Sequence, residues 1–355
     1  MSEIEEIESR VLNISKKIAS IVDPEEWNLP NCSATDNYFE QPPAKVFLKN
    51  LETSKTILLA IASGIELLIL LLTFLQWYQI WKKVSSEHRQ DRLYYLISLF
   101  PVASLCSYIG MLAPRTALVL NSVGVLYALM CLAVLISLVR HLFGSRKACS
   151  TALTYDQKQI NIQSPPCCCC CKFLPEFAST EKNLRRLEWL VLQAPVIRAA
   201  VVVFNIAAVA EYREHSHVFL QISEIASIAS LLFAIFGTHT MARLIGAKLA
   251  DYGFMTIFRA VDITLLFITA QQPLIFENLV RFSIIRCGPL LSALDNARFI
   301  CNFLIICQMF LLSLLITIRV TPNRSALFDK VNETGLKFQE KVGEQTSLRI
   351  DSYDA

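Results

Sequence analysis

Residues 57–75 read ILLAIASGIELLILLLTFL, nineteen positions with a single ionisable side chain, Glu66. At about 1.5 Å of rise per residue this run makes a helix of about 28 Å, close to the roughly 30 Å thickness of a bilayer's hydrocarbon core. Directly after it come Trp77, Tyr78 and Trp81, then Lys82 and Lys83, the aromatic and basic edge of a membrane-spanning helix. Six more apolar blocks follow at 94–113, 117–142, 187–210, 218–241, 254–279 and 299–320, each flanked by polar or charged residues. The second block is the least regular, since it carries Pro101 and several serines, although proline is tolerated in a span whose neighbours satisfy the freed backbone groups. The chain therefore reads as an all-α, polytopic membrane protein with seven transmembrane helices. One transmembrane domain covers 56–320, between an N-terminal tail over 1–55 and a C-terminal tail over 321–355.

Composition supports this reading. Hydrophobic residues make up 54% of the 355 and charged ones 18%, far from the balance of a soluble domain. The net charge of +3 is spread between apolar blocks, which leaves no nucleic-acid surface. Lysine and arginine report orientation instead. The segments 82–93, 140–186, 242–253 and 319–355 hold 20 of them, and 1–55, 112–116, 211–217 and 281–298 hold 11. The positive-inside rule then predicts an extracellular N-terminus and a cytosolic C-terminus. The acidic start of the chain lacks an apolar signal core, so the first span is expected to translocate the tail. Asn13 and Asn31, each in an Asn-x-Ser sequence, become glycosylation candidates on that side. Ile4, Ile7, Val11, Ile14, Ile18 and Ile21 alternate by threes and fours, which predicts an amphipathic helix in the tail. It lies on the protein's own outer face or joins a second copy in a coiled coil.

Five consecutive cysteines, Cys167, Cys168, Cys169, Cys170 and Cys171, fall in the middle of the loop 143–186. On the cytosolic side a structural disulfide is disfavoured, and adjacent thiols cannot wrap a tetrahedral zinc ion, so no metal site is expected. Thiols beside a membrane can carry acyl chains, each buried methylene adding about 0.8 kcal/mol, so S-acylation anchoring the loop to membrane lipid is the chemistry this run fits. Burial as small apolar residues is the alternative. Cys32 and Cys287 both face the oxidising side and are permitted to form a disulfide.

Ionisable residues inside spans are costly and face a bundle interior or a wet cavity. They are Glu66, Arg198, Glu224, Arg259 and Asp262. Arg259 and Asp262 are three apart on one face and can pair with each other. Glu66 has no local partner, and Arg198 is its candidate counter-charge. Asn121 in the third span and Gln271 and Gln272 before Pro273 in the sixth add polar groups, and a broken or kinked helix at Pro273 would free carbonyls beside the glutamines. Glu66, Asn121, Arg198, Arg259, Asp262 and Gln272 are thus the candidate substrate-binding residues, in a cleft that suits a mostly apolar ligand with a few polar groups. The same residues can serve helix-to-helix hydrogen bonding. No nucleophile, metal pair or phosphate-cradling glycine loop marks an enzyme or calls for a cofactor.

Several short stretches carry a resemblance. Phe39-Glu-Gln-Pro-Pro43, Ala113-Pro-Arg115, the cysteine run, Thr269-Ala-Gln-Gln-Pro-Leu-Ile-Phe276 and Cys287-Gly-Pro289 resemble, in that order, the organic solute transporter alpha-subunit family over roughly residues 30 to 325. The resemblance implies a plasma-membrane transporter that moves bile acids, conjugated steroids and similar amphipathic organic anions by facilitated diffusion, with a small single-span beta subunit as partner. A non-transporting membrane organiser, sorting proteins or lipids through its acylated loop, is the second reading. A seven-span receptor is disfavoured, because the third span ends Leu138-Val-Arg-His-Leu142 without an acidic-Arg-Tyr triad.

Overall fold

Each expected span is a helix in a computed structural model of the chain, which describes residues 41–157, 159–160, 177–212, 217–288, 290–322 and 325–330. The spans are Thr53–Lys83, Glu87–Leu112, Pro114–Leu142, Glu181–Ala208, Ile222–Ile245, Phe254–Arg281 and Ala293–Arg319. Most of these helices run past their apolar blocks, because polar residues at the ends can hold helical geometry in the headgroup region. The amphipathic stripe of the N-terminal tail, Asn13, Asn31, Cys32 and Cys167–Cys171 lie outside the described residues.

The third span is the centre of the bundle and packs on the second, fourth and sixth. Of its most apolar window 56% is buried, against 11% for the fourth, which places the fourth at the periphery. The first and seventh spans pack on each other and on the second, while the fourth and fifth form a hairpin attached mainly through the third. That hairpin closes tightly at Gly237, where a Cβ would lie 3.0 Å from Val191 Cγ2 and 3.2 Å from the Leu187 carbonyl. Small residues at such crossings let helices approach without the hydrophobic drive available in water.

Burial on the first span follows Ala62, Glu66, Ile69, Thr73, Gln76 and Ile80, alternating by fours and threes. Half of this inward stripe is polar, whereas the leucines at 67, 68, 71 and 75 face outward. Lipid is as apolar as leucine, so packing and hydrogen bonding rather than water exclusion select the inward face. Gln76 shows this directly, donating to Ser313 O (3.1 Å) on the seventh span.

Prolines shape two spans. The second consists of helices Glu87–Ile97 and Leu99–Leu112 joined at Ser98. Pro101 lacks the N–H that Ile97 O would accept, and its ring crowds that carbonyl. The sixth span passes Pro273 without a break: Gln272–Phe276 is a π-helical turn between Phe254–Gln271 and Glu277–Arg281, closed by Glu277 N–H donating to Gln272 O. The wider turn absorbs the missing donor, so the helix is distorted at Pro273 without being interrupted.

The segment between the third and fourth spans has structure of its own. Helix Arg146–Tyr155 is capped by Ser145, whose Oγ accepts from Ala148 N (3.0 Å). After it, Gln159–Ile160 pairs antiparallel with Phe177–Ala178 in a two-strand ladder that brings the two ends of the cysteine-bearing stretch together.

Candidate functional site

Glu66 is 5% exposed, and neither of its carboxylate oxygens has a hydrogen-bond partner. It faces the second span near Ser104 and Cys106, but the Ser104 hydroxyl donates to Pro101 O (3.2 Å). Arg198 is elsewhere. From the fourth span it reaches Ser227 Oγ (3.2 Å) on the fifth and Ser122 Oγ (3.3 Å) on the third, and its Nε is buried without a partner. The first span packs on the second and seventh and the fourth on the third and fifth, so Arg198 is not the counter-charge of Glu66. Asn121, beside Ser122, is half-buried.

Asp262 also differs from expectation. Its carboxylate meets His239 Nε2 of the fifth span at 3.4 Å, while His239 Nδ1 lies 3.0 Å from Ile235 O. Arg259 is exposed and forms no ion pair among the described residues. The partner of Asp262 comes from another helix, which spacing along one helix cannot reveal. Gln272, at the start of the π turn, has both side-chain polar atoms buried and unpartnered, and Gln271 Oε1 is likewise unpartnered.

One end of the bundle is tied together by residues before the first span, between the second and third, and at the start of the seventh. Gln41 Nε2 donates to Asp295 Oδ1 (2.7 Å), Arg115 Nε donates to Gln41 O (2.6 Å), and Asp295 pairs with Arg298 (2.9 Å). Cys287, at this same end, is disulfide-bonded.

At the opposite, basic end lies the arrangement that sequence reading missed. Glu188 is 5% exposed and receives Arg146 in a fork, with Nη2 to Oε2 at 2.6 Å and Nε to Oε1 at 3.2 Å, while Arg140 Nη1 stands 3.8 Å away. The Glu188 hydrogen bond holds the Arg146 guanidinium above its already high ordinary pKa. Above this cluster, an open groove of about 740 Å³ runs between the third and fourth spans, lined by Leu126, Met130, Val134, Leu192, Pro195 and Val196. Pro195 leaves the Val191 carbonyl without its helical donor on this span. The groove shares Ser137 and Arg140 with a polar recess of about 460 Å³ bordered by Arg92, His141, Arg146 and Lys147. Ser122, one turn from Leu126 on the third span, holds Arg198 beyond the groove's lining. An apolar trough therefore opens into a guanidinium cluster at its basic end. The available signal was Glu188 just inside an apolar block, with Arg140 and Arg146 ahead of it.

Seven apolar helices packed into one bundle, with a groove open on one flank, define a multi-pass membrane protein. The chain belongs to the family described as Organic solute transporter Ostalpha, whose sequence profile matches residues 58–321. It is similar to organic solute transporter alpha-like protein 3 of Caenorhabditis elegans, 50% identical over 320 residues, or 90% of each chain. Alpha-like protein 1 of the same organism is 31% identical over 289 residues, covering 81% of this chain and 75% of that one. Alpha-like protein 2 is 28% identical over 305 residues, covering 85% and 88%. No solved structure matches the chain.

Proposed function

We propose that the protein carries amphipathic organic anions, of the bile-acid or steroid-conjugate kind, across the plasma membrane by facilitated diffusion along the groove between its third and fourth spans. The observation behind this reading is the joining of an apolar trough to a basic recess at Arg140. An anion's apolar body fits the trough, and its charged group finds a guanidinium, Arg140 at the basic end or Arg198 beyond the other. Glu188 positions Arg140 and Arg146, keeping two cations together at the mouth. None of Glu66, Asn121, Arg198, Arg259, Asp262 and Gln272 lines the groove, although Asn121 and Arg198 stand on the two spans that form it.

Other parts of the proposal surround the groove. S-acylation of Cys167–Cys171 would hold the loop against the membrane beside the recess, since that loop joins the two spans that form the trough. A Cys32–Cys287 disulfide would fasten the N-terminal tail across the opposite end. A single-span beta subunit, or a second copy of the chain, is the proposed protein partner. The test is uptake of a radiolabelled sulfated steroid by liposomes holding the protein, with and without a single-span partner. Saturable uptake reduced about tenfold or more by Arg140→Ala or Arg198→Ala, from loss of a charge-assisted contact, is expected. Uptake unchanged by both substitutions removes the groove from the reading, and no uptake from correctly inserted protein removes transport.

A further inference from the structure

Between the first, second, sixth and seventh spans, at the basic end, lies a narrow apolar cavity reached by Ile80, Leu96, Val261 and Ile316. Its floor is not a span. Leu327 and Phe328, from the segment after the seventh helix, close it and are 1% and 4% exposed. The segment is strapped across the mouth from both sides. On one side Ala326 N donates to Asp251 O (2.9 Å) and Ser325 Oγ to Tyr252 O (2.8 Å), both just before the sixth span. On the other, Asp329 accepts from Ser85 N (2.8 Å) and from Ser85 Oγ, and Arg89 Nη1 lies 3.3 Å from its carboxylate. One carboxylate thus holds the far end of the strap, and the hydroxyl it depends on is exposed.

Ser85 sits in Lys82-Lys83-Val84-Ser85, with two lysines three and two positions before the hydroxyl. Val84 and Ser86 flank it in extended backbone, where the first and second spans are joined. Basic residues at those offsets beside an extended, exposed serine are what an acidic kinase cleft takes as substrate. We propose that Ser85 is a phosphorylation site whose modification releases the Ser325–Lys330 strap and opens the cavity's mouth. The proposal places this end in the cytosol, as the distribution of lysine and arginine does, and is independent of which solute the protein carries. A protein kinase transfers the γ-phosphoryl group of ATP to Ser85 Oγ. The new O–P bond forms as the bond to ADP breaks, and the hydroxyl proton leaves to the kinase's base. The product has lost the Oγ–H donor and carries about −1.5 to −2 charge next to the Asp329 carboxylate. Arg89, which reaches Asp329 and also donates to Leu327 O (3.4 Å), turns to the phosphate and gives up both contacts with the strap.

The experiment uses the full chain in nanodiscs, treated with a basophilic kinase and ATP, with phosphopeptides mapped by mass spectrometry. Brief trypsin treatment then reports cleavage after Lys330, the exposed end of the strap, which a protease reaches faster once the strap leaves its site. Phosphate on Ser85 and about tenfold faster cleavage at Lys330, the effect of losing a charge-assisted hydrogen bond, are expected. Ser85→Ala abolishes the kinase effect, Ser85→Asp reproduces it, and Ser85→Asp with Asp329→Asn reverses it by restoring a donor opposite the carboxylate. Absence of Ser85 phosphate, or a Lys330 cleavage rate that phosphorylation leaves unchanged, overturns the proposal.

Discussion

At the scale of single residues, Glu66 and Asp329 show how differently a carboxylate can be placed. Both oxygens of Glu66 are buried without a partner, an arrangement that costs stability in an apolar interior. Replacing Glu66 with Met, similar in length and apolar, is expected to raise stability in detergent by about 1–3 kcal/mol, read from the thermal midpoint. A fall would mean that the carboxyl is doing structural work there. Burial acts against the Asp329 carboxylate, but the hydroxyl and backbone N–H of Ser85 and the Arg89 guanidinium prevail and hold it below its ordinary pKa of 3.8. A group depressed in the folded state contributes stability above its unfolded value and loses it as pH falls through the folded one. The strap is therefore expected to stay docked at neutral pH and loosen below about pH 4, seen as faster hydrogen exchange at the Ala326 amide. Exchange that is flat across this range would remove Asp329 as the anchor.

At the scale of elements, small and cyclic side chains decide how the helices run. Gly237 admits the fourth span so closely that any larger side chain must push Val191 and the Leu187 carbonyl away. Gly237→Leu is expected to cost about 1–3 kcal/mol through overpacking and to splay the hairpin. Reduced thermal stability together with weaker cross-linking between cysteines introduced on the two helices checks this. Pro101 and Pro273 were legible as irregularities in otherwise apolar blocks, yet one produces an interruption at Ser98 and the other a π turn. The difference depends on the neighbours that receive the displaced turn, which a single helix's sequence does not contain. His239 and Asp262 make the same point, since they are far apart in sequence and meet only when the fifth and sixth spans are side by side.

At the scale of the whole molecule, we propose that the seven spans place the two tails on opposite sides, with the side richer in lysine and arginine in the cytosol. N-linked glycan on Asn13 or Asn31, removed by Asn13→Gln with Asn31→Gln, is the expected outcome in cells. Modification instead at Asn323 or Asn332, in Asn323-Arg-Ser and Asn332-Glu-Thr of the C-terminal tail, would invert the molecule. The sequence alone determined the seven spans, their order and the polar residues placed inside them, because crossing a bilayer requires about twenty apolar residues whatever they pack against. It also held the short stretches by which the family is recognised. Only the tertiary structure decided which helix faces which. It therefore separated Arg198 from Glu66, gave Asp262 to His239, assembled the groove above Glu188 and Arg140, and set Phe328 under the cavity. In lipid most outward positions are apolar, so hydropathy marks where a helix crosses but carries little information about its partners.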